Sequence, residues 1–379
     1  MSIHPRVTAC LRASLFGAAL AAALVSCGGG GGSSGDNTMQ MTPPPVTPTI
    51  ASNFLMRSLV SDGAGAEHVD GKLINAWGIA FNPTGFVWVA NNGSSTSTLY
   101  DGNGVPQTLV VAIPPSSSSA SNPTGIVFNG SSSFQVTQNG LTGASAFIFA
   151  SENGSLSGWS PTVNRTNAIL AVDTGAGGAV YKGLAIASFS GANYLYAADF
   201  RNNRVDVYDA NWNRVTLPGG GFTDPNLPAG YAPFGIQAIG GRIYVAYAQR
   251  TAGSIDETKG SGLGIVDVYD AGGALVRRLV TGGALNAPWG MAMAPANFGG
   301  ASNLLLVANF GDGKINAYNA DTGAFAGTLM KADRTPIVID GLWGIAFGNG
   351  VNNQPTNTLF FTAGPGDEAH GLYGRLDLQ

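Results

Sequence analysis

The stretch Asn75-Ala-Trp-Gly-Ile-Ala-Phe81 is a short strand opener built around one glycine, and versions of it occur six times in the chain. A repeat every 47 to 58 residues, made of short β-runs, is typical of the blades of a β-propeller. Six copies therefore predict an all-β fold, a single six-bladed β-propeller over residues 51–379. The six openers are centred on Gly78, Gly125, Gly183, Gly235, Gly290 and Gly344.

The residue pattern of the opener suggests how neighbouring blades pack. Side chains alternate along a strand, so Trp77, Ile79 and Phe81 are expected on one face and Gly78 and Ala80 on the other. A small face against a bulky face lets inner strands approach closely near the axis. The alternative is that aromatic residues rim the channel mouth as stacking platforms for a sugar or an aromatic ligand: Trp77, Trp289, Trp343 and Phe234.

The last blade lacks a strand, because only 35 residues follow Gly344. The strand-like segment 53–60 precedes the first opener and belongs to no blade of its own. We predict that it pairs with the carboxy-terminal segment as the outer strand of the last blade, which would close the ring and cover its edge. Residues 134–160 hold enough sequence for an extra hairpin in the second blade.

The first 50 residues have the composition of an export leader and a tether. Residues 1–26 combine Arg6 and Arg12 with a short apolar run, as a signal peptide does. The small residues before Cys27 resemble a bacterial lipobox, which implies acylation of Cys27 and a lipid anchor in the membrane. Residues 27–50 would then be the acylated cysteine and a Gly/Ser/Pro tether. We expect a bacterial cell-envelope protein, with the outer membrane favoured.

Charge and composition argue against several partners. Charged residues make up only 11% of the 379 residues, with 18 basic and 22 acidic side chains and no basic run. Nucleic acid is therefore not expected as a partner, and no phosphate-loop motif predicts a nucleotide. The two cysteines, Cys10 and Cys27, both precede the propeller, so no disulfide is expected within it.

Three motifs resemble one family. Glu67-His-Val-Asp70, Trp88-Val-Ala-Asn-Asn92 and Asp367-Glu-Ala-His-Gly-Leu-Tyr-Gly374, together with the first opener, are similar to an uncharacterised bacterial family of exported NHL-like propellers. The resemblance implies the fold and no particular reaction, since the family brings no catalytic residues with it.

Polar residues just after the second strands are the first candidates for a binding site. Propellers bind ligands on the axis, and oxygen ligands from several blades are what Ca²⁺ requires. A Ca²⁺ site would resemble that of gluconolactonase- and paraoxonase-like propellers, in which the metal polarises a lactone or ester carbonyl. The alternative is that these residues serve their own turns. The binding candidates at these positions are Asn91, Asp199, Asn309 and Asp367. Asp70, just before the first inner strand, is a further binding candidate, because it could join His68 and His370.

Two histidines form the second set of candidates. His68 precedes the first inner strand and His370 follows a second strand of the last blade, so ring closure could bring them to one mouth. With Glu368 they are candidate catalytic residues, and with Asp199 candidate metal ligands. The alternative is two loop histidines that cap backbone groups.

Two functions from different classes fit these features. The first is a lipid-anchored module that binds a polysaccharide, a peptide or an envelope protein through its loops. The second is a hydrolase or lyase that depends on Ca²⁺ or a transition metal and acts at the axial mouth. We favour binding, because a propeller by itself implies no reaction.

Overall fold

The computed structural model describes residues 48–116 and 119–379, and they form a six-bladed β-propeller. The predicted fold class is thus confirmed. Apart from two short 3₁₀ helices, Gly175–Gly177 and Gly299–Ala301, the regular structure is β-strand. None of the helices in these two ranges has the length and apolar character needed to cross a membrane. The predicted leader and Cys27 lie outside the described residues.

In each of the first three blades, the strands follow chain order from the axis outward. The described part of the chain begins with two strands that belong to the last blade. Those two are β1 (Phe54–Ser61) and β2 (His68–Val69). Blade one comprises β3 (Ala76–Phe81), β4 (Val87–Asn91), β5 (Thr96–Tyr100) and β6 (Pro106–Ala112). Blade two comprises β7 (Pro123–Phe128), β10 (Phe147–Ser151), β11 (Ser155–Trp159) and β12 (Ile169–Asp173), with β8 (Gln135–Gln138) and β9 (Leu141–Ala144) as a separate pair. Blade three comprises β13 (Tyr181–Phe189), β14 (Ala192–Asp199), β15 (Arg204–Tyr208) and β16 (Arg214–Val215).

The remaining blades repeat this plan, and the extra hairpin predicted in blade two is the β8–β9 pair. Blade four comprises β17 (Tyr231–Ile239), β18 (Arg242–Gln249), β19 (Ile265–Asp270) and β20 (Leu275–Thr281). Blade five comprises β21 (Pro288–Met293), β22 (Leu305–Asn309), β23 (Ile315–Tyr318) and β24 (Phe325–Thr328). Blade six contains β25 (Leu342–Phe347), β26 (Leu359–Ala363) and β27 (Leu372–Leu378), joined by β1 and β2.

Ring closure occurs as predicted, through the segment that precedes the first opener. β1 pairs antiparallel with β27, from Phe54 opposite Leu378 to Ser61 opposite Leu372. β2 then adds to β1 in parallel, with His68 opposite Val60. The sixth blade is therefore a five-stranded sheet built from both ends of the described chain. Packing begins slightly upstream of the seam, because Ile50, within the predicted tether, is 2% exposed and belongs to the core around blade five.

The opener glycines let adjacent inner strands touch. A Cβ atom on Gly78 would overlap the Thr124 carbonyl of the next blade, and one on Gly344 would lie 2.7 Å from the Trp77 carbonyl oxygen, which closes the circle. Such contacts leave no room for a side chain. The register also shifts at the opener in every blade, in blade one between Ala76 and Ile79.

The expected simple alternation is wrong at Trp77 because of this bulge. Ile79 and Phe81 pack in the core around blade one, whereas Trp77 packs with the aromatic residues at the axis. A bulge re-aims a side chain and bends the strand locally.

Candidate functional site

One end of the axial channel is closed by a layer of aromatic rings, which we call the aromatic floor. Trp343 stacks on Trp77 with a centroid distance of 3.8 Å and on Phe310 at 3.9 Å. The residues considered as exposed stacking platforms are instead buried in this floor, with Trp343 fully buried and Trp77 1% exposed. Below it, a cavity of about 20 Å³ remains, room for about one water molecule. The floor comprises Trp77, Phe200, Phe234, Trp289, Phe310 and Trp343.

Asn75 connects the floor to the polar layer above it. Its Oδ1 accepts hydrogen bonds from the indole N–H groups of Trp77 (2.8 Å) and Trp343 (3.1 Å), and its Nδ2 donates to Glu368 at 2.7 Å. Asn75 has a φ of 48°, in the left-handed region, which asparagine tolerates better than most residues. The first and last blades are thus joined at the axis by one amide.

Lys182 is the centre of the polar layer, which we call the axial cluster. It takes the opener position that holds tryptophan in three other blades, and its side chain is only 2% exposed. Nζ lies 2.6 Å from Glu152, 3.6 Å from Asp256 and 5.0 Å from the ring centroid of Trp77. A buried ammonium requires such partners, because transfer of an unpaired charge out of water is very costly.

Burial and neighbouring charges shift the pKa values of Lys182 and of the carboxyl groups around it. Burial raises the pKa of Glu257 to about 7, even though Lys182 opposes the shift. Burial also raises the pKa of Glu368. Burial alone would lower the pKa of Lys182, but Glu152 and Glu257 more than offset this and raise it. Lys182 therefore stays protonated at neutral pH, while Glu257 exchanges its proton near pH 7.

A loop from blade four covers the axial cluster. This cover loop, residues 250–264 between β18 and β19, carries Asp256, Glu257 and Lys259. Lys259 Nζ lies 4.4 Å from the ring centroid of Phe310 and 3.7 Å from Asp367 of blade six. Opposite Lys182, Asn92 donates to Glu152 at 2.9 Å. All six blades thus contribute a residue to the cluster or to the floor beneath it.

The residues predicted after the second strands serve their own blades. Asn91 donates to Thr96 and Thr98, and Asn309 donates to the Ala284 carbonyl and to Asp312. Asp199 accepts from the backbone N–H of Val180 and from Asn202. Asp70, the candidate before the first inner strand, accepts from the Tyr100 hydroxyl and the Lys72 backbone N–H. Among the predicted binding residues, only Asp367 touches the axial cluster, through Lys259.

The two histidines take different partners. His370 Nδ1 lies 2.9 Å from Asp62 Oδ2, whereas His68 lies in β2 beside Val60. Within residues 48–116 and 119–379, no hydrogen bond or ion pair joins the two imidazoles. Over the same ranges, no group of three or more His, Cys, Asp or Glu side chains is arranged to hold a metal ion. The predicted Ca²⁺ or transition-metal site therefore gains no geometric support. Of the catalytic candidates, only Glu368 lies in the axial cluster.

Lys182 and Glu257 were missed from the sequence. Lys182 carried a usable signal, because a lysine in place of the repeated Trp or Phe puts a charge at a buried axial position. Glu257 gave no such signal, since it lies in a loop whose path over the axis the repeat does not predict.

Comparison with solved structures supports the fold alone. A structural genomics protein of unknown function from Bacteroides thetaiotaomicron matches with a TM-score of 0.55 and 10% identity, over 87% of this chain and 76% of that one. The PQQ-bound form of an aldose sugar dehydrogenase from Streptomyces coelicolor matches with a TM-score of 0.51 and 13% identity, over 88% of this chain and all of that one. No family model matches the chain.

Sequence comparison overturns two expectations. Uncharacterized protein R648 of Acanthamoeba polyphaga mimivirus is 33% identical over 330 residues, 86% of this chain and 79% of the relative. Uncharacterized protein L690 of the same virus is 33% identical over 321 residues, 82% of each chain. Assignment to a bacterial family is therefore wrong, and these viral relatives point away from a bacterial cell envelope.

The misassignment has a physical cause. The tryptophan and glycine of the opener, Trp77 and Gly78, are required by the aromatic floor and by close strand contacts, so they mark this ring geometry and not a lineage. Identity spread over most of the length is the stronger indicator, and by that measure the chain belongs to the same family as the two mimivirus proteins.

Proposed function

We propose that the protein is a ligand-binding propeller whose axial cluster recognises an ammonium group, on a polyamine or on a basic peptide. The observation that carries the proposal is the convergence of Glu152, Glu257 and Glu368, from three different blades, around a single buried lysine. Convergent polar groups over an apolar floor are typical of binding sites at the mouths of β-structures.

Lys259 indicates the chemistry of the ligand. Its ammonium lies over the face of Phe310 and beside Asp367, an arrangement that combines a cation–π contact with a carboxylate. Its side chain is 46% exposed, against 2% for Lys182, so it can leave at little cost. Each such contact contributes about 0.5–1 kcal/mol at an exposed site. We infer that Lys259 occupies the place of a ligand ammonium when none is bound.

The charge balance of the mouth supports a cationic ligand. Five carboxylates face two lysines, and the Arg250 guanidinium lies 5.6 Å from the ring centroid of Phe200 in the floor. Even with Glu257 partly protonated near pH 7 and Arg250 counted, the mouth keeps a small excess of negative charge, which favours cations and opposes phosphate-rich ligands. The five carboxylates belong to Glu152, Asp256, Glu257, Asp367 and Glu368.

Calorimetric titration with cadaverine tests the proposal. Lys259→Ala removes the internal competitor, so we expect cadaverine to bind this variant about 5- to 10-fold more tightly than wild type, consistent with a gain of about 1 kcal/mol. Asp367→Asn, at a side chain 96% exposed, should weaken binding without disturbing the fold.

Lys331→Ala is the matched control, because Lys331 is an exposed lysine in a turn of blade five. It should bind cadaverine like wild type, and glutarate should bind none of the variants. Equal cadaverine affinity for wild type and Lys259→Ala, or no heat with either, would refute an ammonium site.

A second candidate is a hydrolase or lyase at the same mouth. The observation that favours it is Glu257, a half-buried carboxyl group whose pKa of about 7 suits general acid–base catalysis. The metal-dependent form of this candidate is tested by metal analysis of the purified protein. Stoichiometric Ca²⁺ or transition metal, lost on Asp199→Ala or His370→Ala, would favour that form over simple binding.

A further inference from the structure

A second cavity lies at the seam where the ring closes, away from the aromatic floor. This seam pocket has a volume of about 330 Å³. It is lined by residues of two segments, 58–65 at the end of β1 and in the loop after it, and 365–372 in the loop before β27 and at the start of that strand. Its size is at the lower end of the range for small-molecule sites. The pocket exists only because β1 pairs with β27, so it brings together residues about 300 positions apart.

The His370 imidazole lies in the wall of the seam pocket, where Asp62 orients it. Asp62 Oδ2 lies 2.9 Å from His370 Nδ1, and Asp62 Oδ1 accepts from the Gly371 backbone N–H at 3.0 Å. A carboxylate at Nδ1 holds the ring and keeps the proton on that nitrogen, which leaves the Nε2 lone pair free to act as a base. The His370 side chain is 64% exposed, so a ligand can reach it.

Hydrogen-bond donors lie in the same wall. Within the two described ranges, the backbone N–H groups of Gly63, Ala64 and Gly65 donate no hydrogen bond to the protein. Backbone N–H groups without partners can stabilise an oxyanion that develops in a reaction. The Ser61 hydroxyl, by contrast, donates to the Gly63 carbonyl, which leaves water as the nucleophile best placed for activation.

We propose that the seam pocket is a hydrolytic site for small esters, with His370 as the catalytic base and Asp62 as its positioning residue. Nε2 takes a proton from water as the water oxygen bonds to the ester carbonyl carbon. The carbonyl oxygen becomes an oxyanion, which the N–H groups of Gly63, Ala64 and Gly65 stabilise. The bond from carbon to the alkoxy oxygen then breaks, and the imidazolium returns its proton to the leaving alkoxide. The products are one carboxylic acid and one alcohol.

This site is independent of the axial cluster in residues and in ligand. Glu368 and His370 share the loop before β27, but Glu368 bonds Asn75 whereas His370 bonds Asp62. Lys259→Ala, the variant that tests ammonium binding, should leave ester hydrolysis unchanged.

Hydrolysis of 4-nitrophenyl acetate by the purified chain tests the seam site. A positioned general base contributes about 10²- to 10⁴-fold, so His370→Gln should lower the second-order rate constant by at least about 100-fold. Wild type should exceed free imidazole, at equal concentration, by at least about tenfold. Because His370 is exposed, the thermal unfolding midpoint of His370→Gln should match that of wild type.

His68→Gln is the matched control, because His68 is the other histidine of the propeller and lies outside the pocket lining. It should retain the wild-type rate. Asp62→Asn should slow hydrolysis by lowering kcat while KM stays close to the wild-type value, because Asp62 orients the imidazole and does not contact the ester. The proposal fails if His370→Gln and His68→Gln hydrolyse the ester equally, or if wild type is no faster than imidazole.

Discussion

At the scale of single residues, the opener glycines matter because they have no side chain. The Cβ of an alanine at Gly235 would overlap the Trp289 carbonyl in the next blade. Both partners are backbone in the inner strands of two blades, so neither can yield as a flexible side chain could. The ring therefore tolerates no side chain at this position, and the sequence showed this correctly through the spacing of the glycines.

Replacement of Gly235 by alanine should destabilise the propeller by about 3 kcal/mol or more, at the upper end of overpacking effects, because backbone must move. Urea denaturation measures the change. Gly71→Ala is the matched control, since no heavy atom lies within 4 Å of its added Cβ, and its stability should be close to wild type. Equal loss in both variants would contradict the close-contact explanation.

At the scale of the element, strand β19 carries a buried carboxyl group with incomplete partners. Asp267 is fully buried, and its Oδ1 makes no hydrogen bond within the described part of the chain. Arg278 Nε lies 3.6 Å away. Burial raises the pKa of Asp267 to about 7, with Asp224 adding to the shift and Arg278 opposing it.

This raised pKa makes stability fall as pH rises. The unfolded chain loses the Asp267 proton near pH 4, whereas the folded chain keeps it until about pH 7. Protonated Asp267 therefore adds to the free energy of unfolding below pH 4. This stabilisation is lost between pH 4 and 7, and it amounts to at most about 4 kcal/mol. Asp267→Asn should remove this slope.

Urea denaturation at pH 5 and pH 8 checks the effect. The stability difference between Asp267→Asn and wild type should move in favour of the variant at pH 8. Asp209→Asn is the control, because hydrogen bonds from Asn213 and Asn211 lower the pKa of Asp209 against the effect of burial. Its contribution is lost only below about pH 4, so its effect on stability should be the same at pH 5 and pH 8. An equal stability difference between Asp267→Asn and wild type at pH 5 and pH 8 would contradict a raised pKa of Asp267.

Elements were predicted well where period and composition agreed, and poorly where a loop decided the geometry. The six openers, the extra hairpin and the seam strand follow from spacing, because a strand without a partner must find one. The position of Trp77 did not follow, since a bulge breaks the alternation. The cover loop could not be placed, because nothing in its sequence fixes its path across the axis.

At the scale of the whole molecule, the ring is held shut by one short strand. β1 buries Phe54, Leu59 and Val60, each with an exposed fraction of 1% or less. Each such side chain contributes about 1.5–3 kcal/mol when buried. The same strand covers the outer edge of β27, which would otherwise offer free backbone groups to another chain.

A chain that begins at Asp62 should therefore be less stable by several kcal/mol and should self-associate through β27. Thermal unfolding and light scattering after size exclusion measure the two effects, with a chain that begins at Pro48 as the control. A synthetic peptide of residues 50–61 should restore part of the lost stability. An unchanged unfolding midpoint in the shorter chain would show that the seam strand is dispensable.

The candidate sites were harder to predict than the ring, because their residues come together only when the whole ring closes. Lys182 and Glu368 meet across the axis only after six blades have closed, and Asp62 meets His370 only at the seam. Histidine scarcity drew attention to His370, but the partner expected for it was His68, whereas Asp62 lies at its Nδ1. Residues that are neighbours through closure leave no local pattern in the sequence.

Closure by the last strand also sets when function can begin. On the ribosome, five blades can form while the final one is still being made, yet the seam pocket needs β27 and its preceding loop. A polypeptide interrupted before the loop that precedes β27 would lack both His370 and Glu368, and one interrupted after that loop would lack the strand that pairs with β1. The proposed ester hydrolysis would thus report, in a single assay, that synthesis had run through to the closing strand.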